Sequence, residues 1–212
     1  MPLPFHRPAT GAEFEQLLAD CAQVRLLTVA DDGLPVCGLF HFLAGRDGLE
    51  FHLLRENPQL AQLRARGGVI EADDFLSPIP SHWVERHDGA HFASYYRMAQ
   101  AAGDFAFDET PAALANHFNR FLRKYQPEGG YDPYPEGAAA DASLGDYVKV
   151  TLTVTRLTTR WQLGQNHPPE LRRKLVDKLR TRGRGADPRC ADEILRWLMT
   201  HPEEDVDPLK YE

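Results

Sequence analysis

Two-residue alternation is clearest in DYVKVTLTVTRL, where Val148, Val150, Leu152 and Val154 alternate with Lys149, Thr151, Thr153 and Thr155. That period places one face in a core and the other in water, so it predicts a strand. Trp161, Leu163 and Gln165 continue the pattern as a second strand. Nearer the N-terminus, VRLLTVA and LPVCGLFHFLA flank the turn Asp31-Asp32-Gly33. LEFHLLR follows a second turn, Gly45-Arg46-Asp47-Gly48, and the three runs read as a meander. GVIEADDF predicts a further strand and SPIPSHWVERHDG a loop. HFASYYRMAQAAGDFAF reads as extended and aromatic, although its alanines also suit a helix.

Helical spacing occupies the intervals between these runs. Thr10-Gly11-Ala12-Glu13 forms a capping box ahead of Phe14, Leu17, Leu18 and Cys21, predicting a helix over 11–22. Asn57 caps and Pro58 opens a second helix that ends at Gly67-Gly68. Residues 108–126 carry Leu114, Phe118, Phe121 and Leu122 on one face, with Tyr125 nearby. The Pro-, Gly- and Ala-rich stretch 127–145 reads as a long surface loop. A basic helix after Pro168-Pro169 has Leu171, Leu175 and Leu179 on one side, and a last helix over 191–200 precedes an acidic tail. Six or more strands with a few helices, and no βαβ rhythm, give an α+β class with a barrel-like sheet.

Composition adds constraints. The chain has 212 residues, 42% hydrophobic and 26% charged, enough for a substantial core in one domain with an appendage. Cys21, Cys37 and Cys190 are odd in number and widely spaced, which suggests neither a disulfide framework nor a thiolate metal site. No apolar run approaches the roughly 18 residues that span a bilayer. The N-terminus has no signal-like apolar stretch, so a cytoplasmic protein without membrane contact is expected. The net charge of -7 argues against a stand-alone nucleic-acid binder. It is unevenly distributed: residues 156–196 hold 11 Lys+Arg against 5 acids, while residues 1–155 hold 12 against 21.

Two segments carry candidate chemistry. In FHLLRENP, His52 lies on a strand, Arg55 ends it and Asn57-Pro58 starts a helix. An arginine beside a helix N-terminus can bind phosphate through its fork and the free amides. The same residues also suit a surface ion pair and a plain helix cap. In RWQLGQN, Arg160, Gln165 and Asn166 combine a cation and two amides near Trp161. Such amides can hydrogen-bond a planar heterocycle, or simply satisfy a loop. His87 and His91 lie four apart near Asp88, but Gly89 between them favours solvated loop histidines over a metal site. No metal ligands or catalytic groups are assigned. The basic helix LRRKLVDKLRTRGRG lacks a recognition-helix partner, so direct DNA binding is not expected.

Together, FHLLRENPQL and VTLTVTRLTTRWQLGQNHPPELRRKLVDKLR resemble the PaiB family of FMN-binding negative transcriptional regulators. That family is one branch of the split-barrel flavoproteins related to pyridoxamine-phosphate oxidases. The first segment resembles the family's H-x-A-R-x-N-P pattern and the second its I-T-R-L-x-G-K-W-K-L-S-Q-N run; SPIPSHW stands where the family has S-P-S-W-Y. The resemblance covers about residues 4–183. Gln162 and Gly164 stand here for the family's second Lys and its Ser, and Phe92-Ala93-Ser94-Tyr95-Tyr96 for P-T-W-N-Y.

The resemblance implies an FMN-binding split β-barrel over 1–166, with peripheral helices and a C-terminal helical extension and acidic tail over 167–212. It implies a homodimer with FMN between the subunits. His52, Arg55, Asn57 and Ser81 would lie on the flavin phosphate side, and Tyr96, Arg160, Gln165 and Asn166 along the remainder. A sensing or regulatory role follows from the family. The alternatives are a small flavin-dependent oxidoreductase, or a relative that binds another ligand such as haem, with His82 or His91 as axial ligand.

Overall fold

The computed structural model describes residues 11–45, 48–135 and 142–201. Thr10 of the expected capping box, the turn pair Arg46-Asp47, part of the 127–145 loop and the acidic tail lie outside the described residues. Seven strands and five α-helices give the expected α+β class. In chain order they are α1 (Gly11–Asp20), β1 (Gln23–Val29), β2 (Pro35–His41), β3 (Leu43–Gly45), β4 (Gly48–Leu54) and α2 (Pro58–Arg66). These are followed by β5 (Val69–Ile79), β6 (Ala93–Asp108), α3 (Pro111–Tyr125), β7 (Tyr147–Gln162), α4 (Pro169–Arg182) and α5 (Asp187–Thr200).

The sheet order is β2-β1-β5-β6-β7-β4-β3. β1 and β2 form the expected hairpin, with Val29 opposite Pro35. The predicted meander forms with its middle run split: β2 pairs with β1 and β3 pairs with β4, while β4 also pairs with β7, and β2 and β3 stand at the two ends of the strand order. The cause is Phe42, which divides the run LPVCGLFHFLA. Its N–H donates to Tyr125 Oη at 3.1 Å, and its carbonyl accepts from Tyr125 Oη and Lys124 Nζ. Those side chains from α3 replace the ladder partners that would continue β2. The expected second strand over 161–165 is not formed. β7 runs unbroken through Gln162, and the chain then turns at Gly164, whose φ is +75°. The 93–108 stretch is extended throughout, because its alternate side chains Tyr95, Arg97, Ala99 and Ala101 are all buried.

The chain divides into two compact units. One comprises the chain up to Leu17, 73–99 and 159 onward, with a core that includes Leu76, Ile79, Tyr95, Trp161, Leu175, Leu179, Ile194 and Trp197. The other comprises 18–72 and 100–158, with Leu26, Leu49, Phe51, Leu53, Leu63, Ile70, Val148, Val150 and Leu152 buried. β5, β6 and β7 each run through both.

Candidate functional site

In the unit formed by 18–72 and 100–158, the end of β4 and the start of α2 carry three of the expected residues. Leu49, Phe51 and Leu53 of β4 face the core, so strand alternation sends Glu50 and His52 to the opposite face. His117 of α3 meets them there, although it lies 65 residues further along the chain. His52 Nδ1 and His117 Nε2 are 2.8 Å apart, and His117 Nδ1 is 2.7 Å from Glu50 Oε1. His117 is fully buried. Burial raises the Glu50 pKa, but the His117 hydrogen bond and attraction to His117, Arg120 and Lys149 outweigh it and hold the carboxyl below its usual range. An ionised Glu50 only accepts. His117 therefore donates to it through Nδ1, and the His52 Nδ1–His117 Nε2 contact orients the His52 ring. His52 Nε2 is the ring nitrogen outside that contact. Burial, with the neighbouring His117 and His41, lowers the His52 pKa to about 4, so this ring stays neutral near pH 7. Phe118, Phe121 and Tyr147 surround it at ring separations of 4.5, 5.0 and 5.4 Å.

Arg55 begins the turn after β4. Its backbone N–H donates to Asp146 O at 2.8 Å and its Nε to Gly145 O at 2.5 Å, while Nη1 contacts Glu109. Asn57 caps α2 by accepting from Gln59 N at 2.9 Å, with Pro58 in the first helical position. Both plain alternatives for this segment, an ion pair and a helix cap, are therefore present. Neither occupies the whole Arg55 fork, and the group remains exposed.

The remaining expected residues belong to the other unit. Ser81 opens a short 3₁₀ turn after β5, its carbonyl accepting from Val84 and Glu85 N–H. Tyr96 is half-buried on the face of β6 opposite Tyr95 and Arg97. Arg160, near the end of β7, and Asn166, in the following turn, are exposed. Gln165 is buried, and both ends of its amide are engaged by backbone: Oε1 accepts from Leu163 N and Nε2 donates to Trp161 O, each at 2.8 Å. It holds the turn in shape. His82 and His91 are exposed on 3₁₀ turns.

Gly164 and Tyr95 explain each other. A Cβ at Gly164 would overlap Tyr95 Oη, and φ there already favours glycine. The same unit holds an ion network that no sequence motif marked. Arg97, 1% exposed, pairs with Asp74 and Glu193, which Arg189 and Arg196 also bind. Nearby, Trp161, Trp197 and Arg97 help line a cavity of about 390 Å³.

The sequence contained partial signals for the residues it missed. His117 lies three residues after Leu114 on the apolar face of α3, and Glu50 and His52 share one face of β4. The pairing of these elements is long-range and left no mark.

The fold is that of the split-barrel flavin proteins. Residues 3–176 match the family described as "Putative FMN-binding domain", and the chain belongs to that family. Among solved structures, the flavocytochrome Anf3 from Azotobacter vinelandii is similar, with TM-score 0.61, 10% identity, and coverage of 74% of this chain and 69% of that one. An FAD and heme binding protein from Mycobacterium smegmatis gives 0.56, 18%, 73% and 72%. A "putative 5-nitroimidazole antibiotic resistance protein" from Bacteroides thetaiotaomicron gives 0.58, 13%, 73% and 86%. At these identities the likeness is one of fold. Comparison with curated protein sequences finds no match. Among the described residues, no helix is long and apolar enough to cross a membrane. The donor set at the β4–α2 junction, an exposed guanidinium beside a capped helix start, fits a phosphorylated flavin, and a neutral imidazole lies two residues before the strand's end.

Proposed function

We propose that the protein binds FMN without a covalent bond, as a homodimer, and acts as a sensing or regulatory protein of the PaiB type. The observation that carries this reading is the β4–α2 junction. Within one short segment it presents an oriented neutral imidazole at His52, a braced guanidinium at Arg55 and a capped helix start at Asn57, in a chain whose family is described as FMN-binding. These three residues and Ser81 attend the phosphate side of the flavin. Tyr96, Arg160 and Asn166 contact the remainder, and Gln165 acts through the turn that it shapes. When bound, FMN supplies electron-transfer chemistry, and the protein supplies binding and orientation.

The regulatory role passes through the ligand or a protein partner rather than direct DNA contact. Several cations of the basic C-terminal segment are engaged: Arg182 pairs with Asp187, Arg180 with Asp192, and Lys178 and Arg182 lie over Trp83.

A second reading, a flavin-dependent oxidoreductase, is favoured by the Glu50–His117–His52 hydrogen-bond chain, a line of groups through which a proton can be relayed. The absorption spectrum of the purified protein with and without FMN tests the first claim. Flavin bands near one per chain support it, whereas a haem Soret band without flavin overturns it. Flavin-dependent consumption of NAD(P)H then selects the oxidoreductase, and its absence selects the regulator.

A further inference from the structure

Two arginines converge on a single carboxylate beside the β4–α2 junction. Arg55 donates through Nη1 to Glu109 Oε2, and Arg64 of α2 donates through Nη2 to Glu109 Oε1. Each carboxylate oxygen therefore meets its own guanidinium, an arrangement that phosphate oxygens also satisfy. Each guanidinium has a second brace that does not involve Glu109. Arg55 Nε donates to Gly145 O at 2.5 Å, and the Arg64 guanidinium lies 5.1 Å from the Phe107 ring centroid. The fork can therefore keep its shape when the carboxylate swings away.

Glu109 is placed to do so. It lies between the end of β6 and the start of α3, next to Asp108, whose carboxylate is tied to the backbone and hydroxyl of Thr110. The side chains of Arg55, Arg64 and Glu109 are 45%, 45% and 36% exposed, so a ligand reaches them without unfolding. Solvent-exposed carboxylate pairs contribute little to stability. A phosphate monoester near neutral pH carries more charge than a carboxylate and has a third terminal oxygen.

We propose that Arg55 and Arg64 form a phosphomonoester-binding fork in which the Glu109 carboxylate is an exchangeable internal occupant, displaced by the phosphate of a phosphorylated flavin. This rests on the proposed FMN binding and adds two residues to it: Arg64 as a second cation and Glu109 as a built-in competitor. The competitor sets a threshold, because the flavin phosphate must displace a carboxylate already held by both arginines.

The test is fluorescence titration of the full chain with FMN and with riboflavin, alongside calorimetric titration with inorganic phosphate. Wild type, Glu109→Gln and Arg64→Ala are compared. Glu109→Gln is expected to tighten FMN severalfold and to leave riboflavin unchanged. Arg64→Ala is expected to weaken FMN by about tenfold, again without effect on riboflavin. Both changes lie on exposed side chains, and circular dichroism confirms folding. Wild-type binding of FMN with unchanged affinity in both variants overturns the fork and leaves the flavin proposal standing. Absence of FMN binding by the wild-type chain overturns both. A response confined to inorganic phosphate, with FMN affinity unmoved, assigns the fork to free phosphate and overturns its assignment to the flavin.

Discussion

His52 stays neutral because it is enclosed by aromatic rings and bonded to a second imidazole, and this has a consequence for stability. Its folded pKa of about 4 lies below the ordinary histidine value of 6.5. Between those values the unfolded chain binds a proton that the folded chain does not, so stability falls as pH drops from about 6.5 towards 4. Glu50 acts in the same direction, since a carboxyl held below its usual range loses stabilisation on acidification. Moving from pH 7 to pH 5 is expected to cost about 2 kcal/mol through His52. Urea unfolding at the two pH values checks this: His52→Gln should lose clearly less stability than wild type over the interval. An equal loss in both proteins would show that His52 titrates normally.

At the scale of elements, local signals fixed the ends of α2 and long-range contacts decided the rest. The Asn57-Pro58 start and the Gly67 stop of α2 were legible because capping depends on adjacent residues. The strand β4 was legible as a run between the turn at 45–48 and the helix start at Asn57, so the placement of His52 on it and Arg55 at its end could be read directly. The break at Phe42 could not be read, because its hydrogen-bond partners are on α3, more than eighty residues away. His117 was hidden in the same way: only the folded pairing of α3 with β4 brings it to Glu50 and His52. The turn after β7 gives a test at this scale. Gly164→Ala should cost about 2–4 kcal/mol, from backbone strain and overlap with Tyr95. Among the described residues the buried Tyr95 Oη has no hydrogen-bond partner, so Tyr95→Phe alone should be close to neutral. Because Phe lacks the atom nearest the new methyl group, the double variant should recover about 1 kcal/mol of the Gly164→Ala loss in a thermal-melt cycle. Strict additivity would show that the two positions do not share space.

For the whole molecule, the net charge of -7 combines an acidic stretch over 1–155, a basic segment over 156–196 and an acidic end over 197–212, and the structure engages part of the basic segment in ion pairs and ring contacts. A homodimer is expected, and sedimentation equilibrium should give twice the chain mass, with or without FMN. A strictly monomeric protein at micromolar concentration would remove the shared-site geometry from the proposal. The central claim is flavin binding through the β4–α2 junction, and equilibrium titration with FMN tests it most directly. The wild-type chain should bind about one FMN per chain, and Arg55→Ala should weaken binding by about 1.5–3 kcal/mol, the range of a charged hydrogen bond. No saturable FMN binding at micromolar concentration, or equal affinity in wild type and Arg55→Ala, would contradict the account.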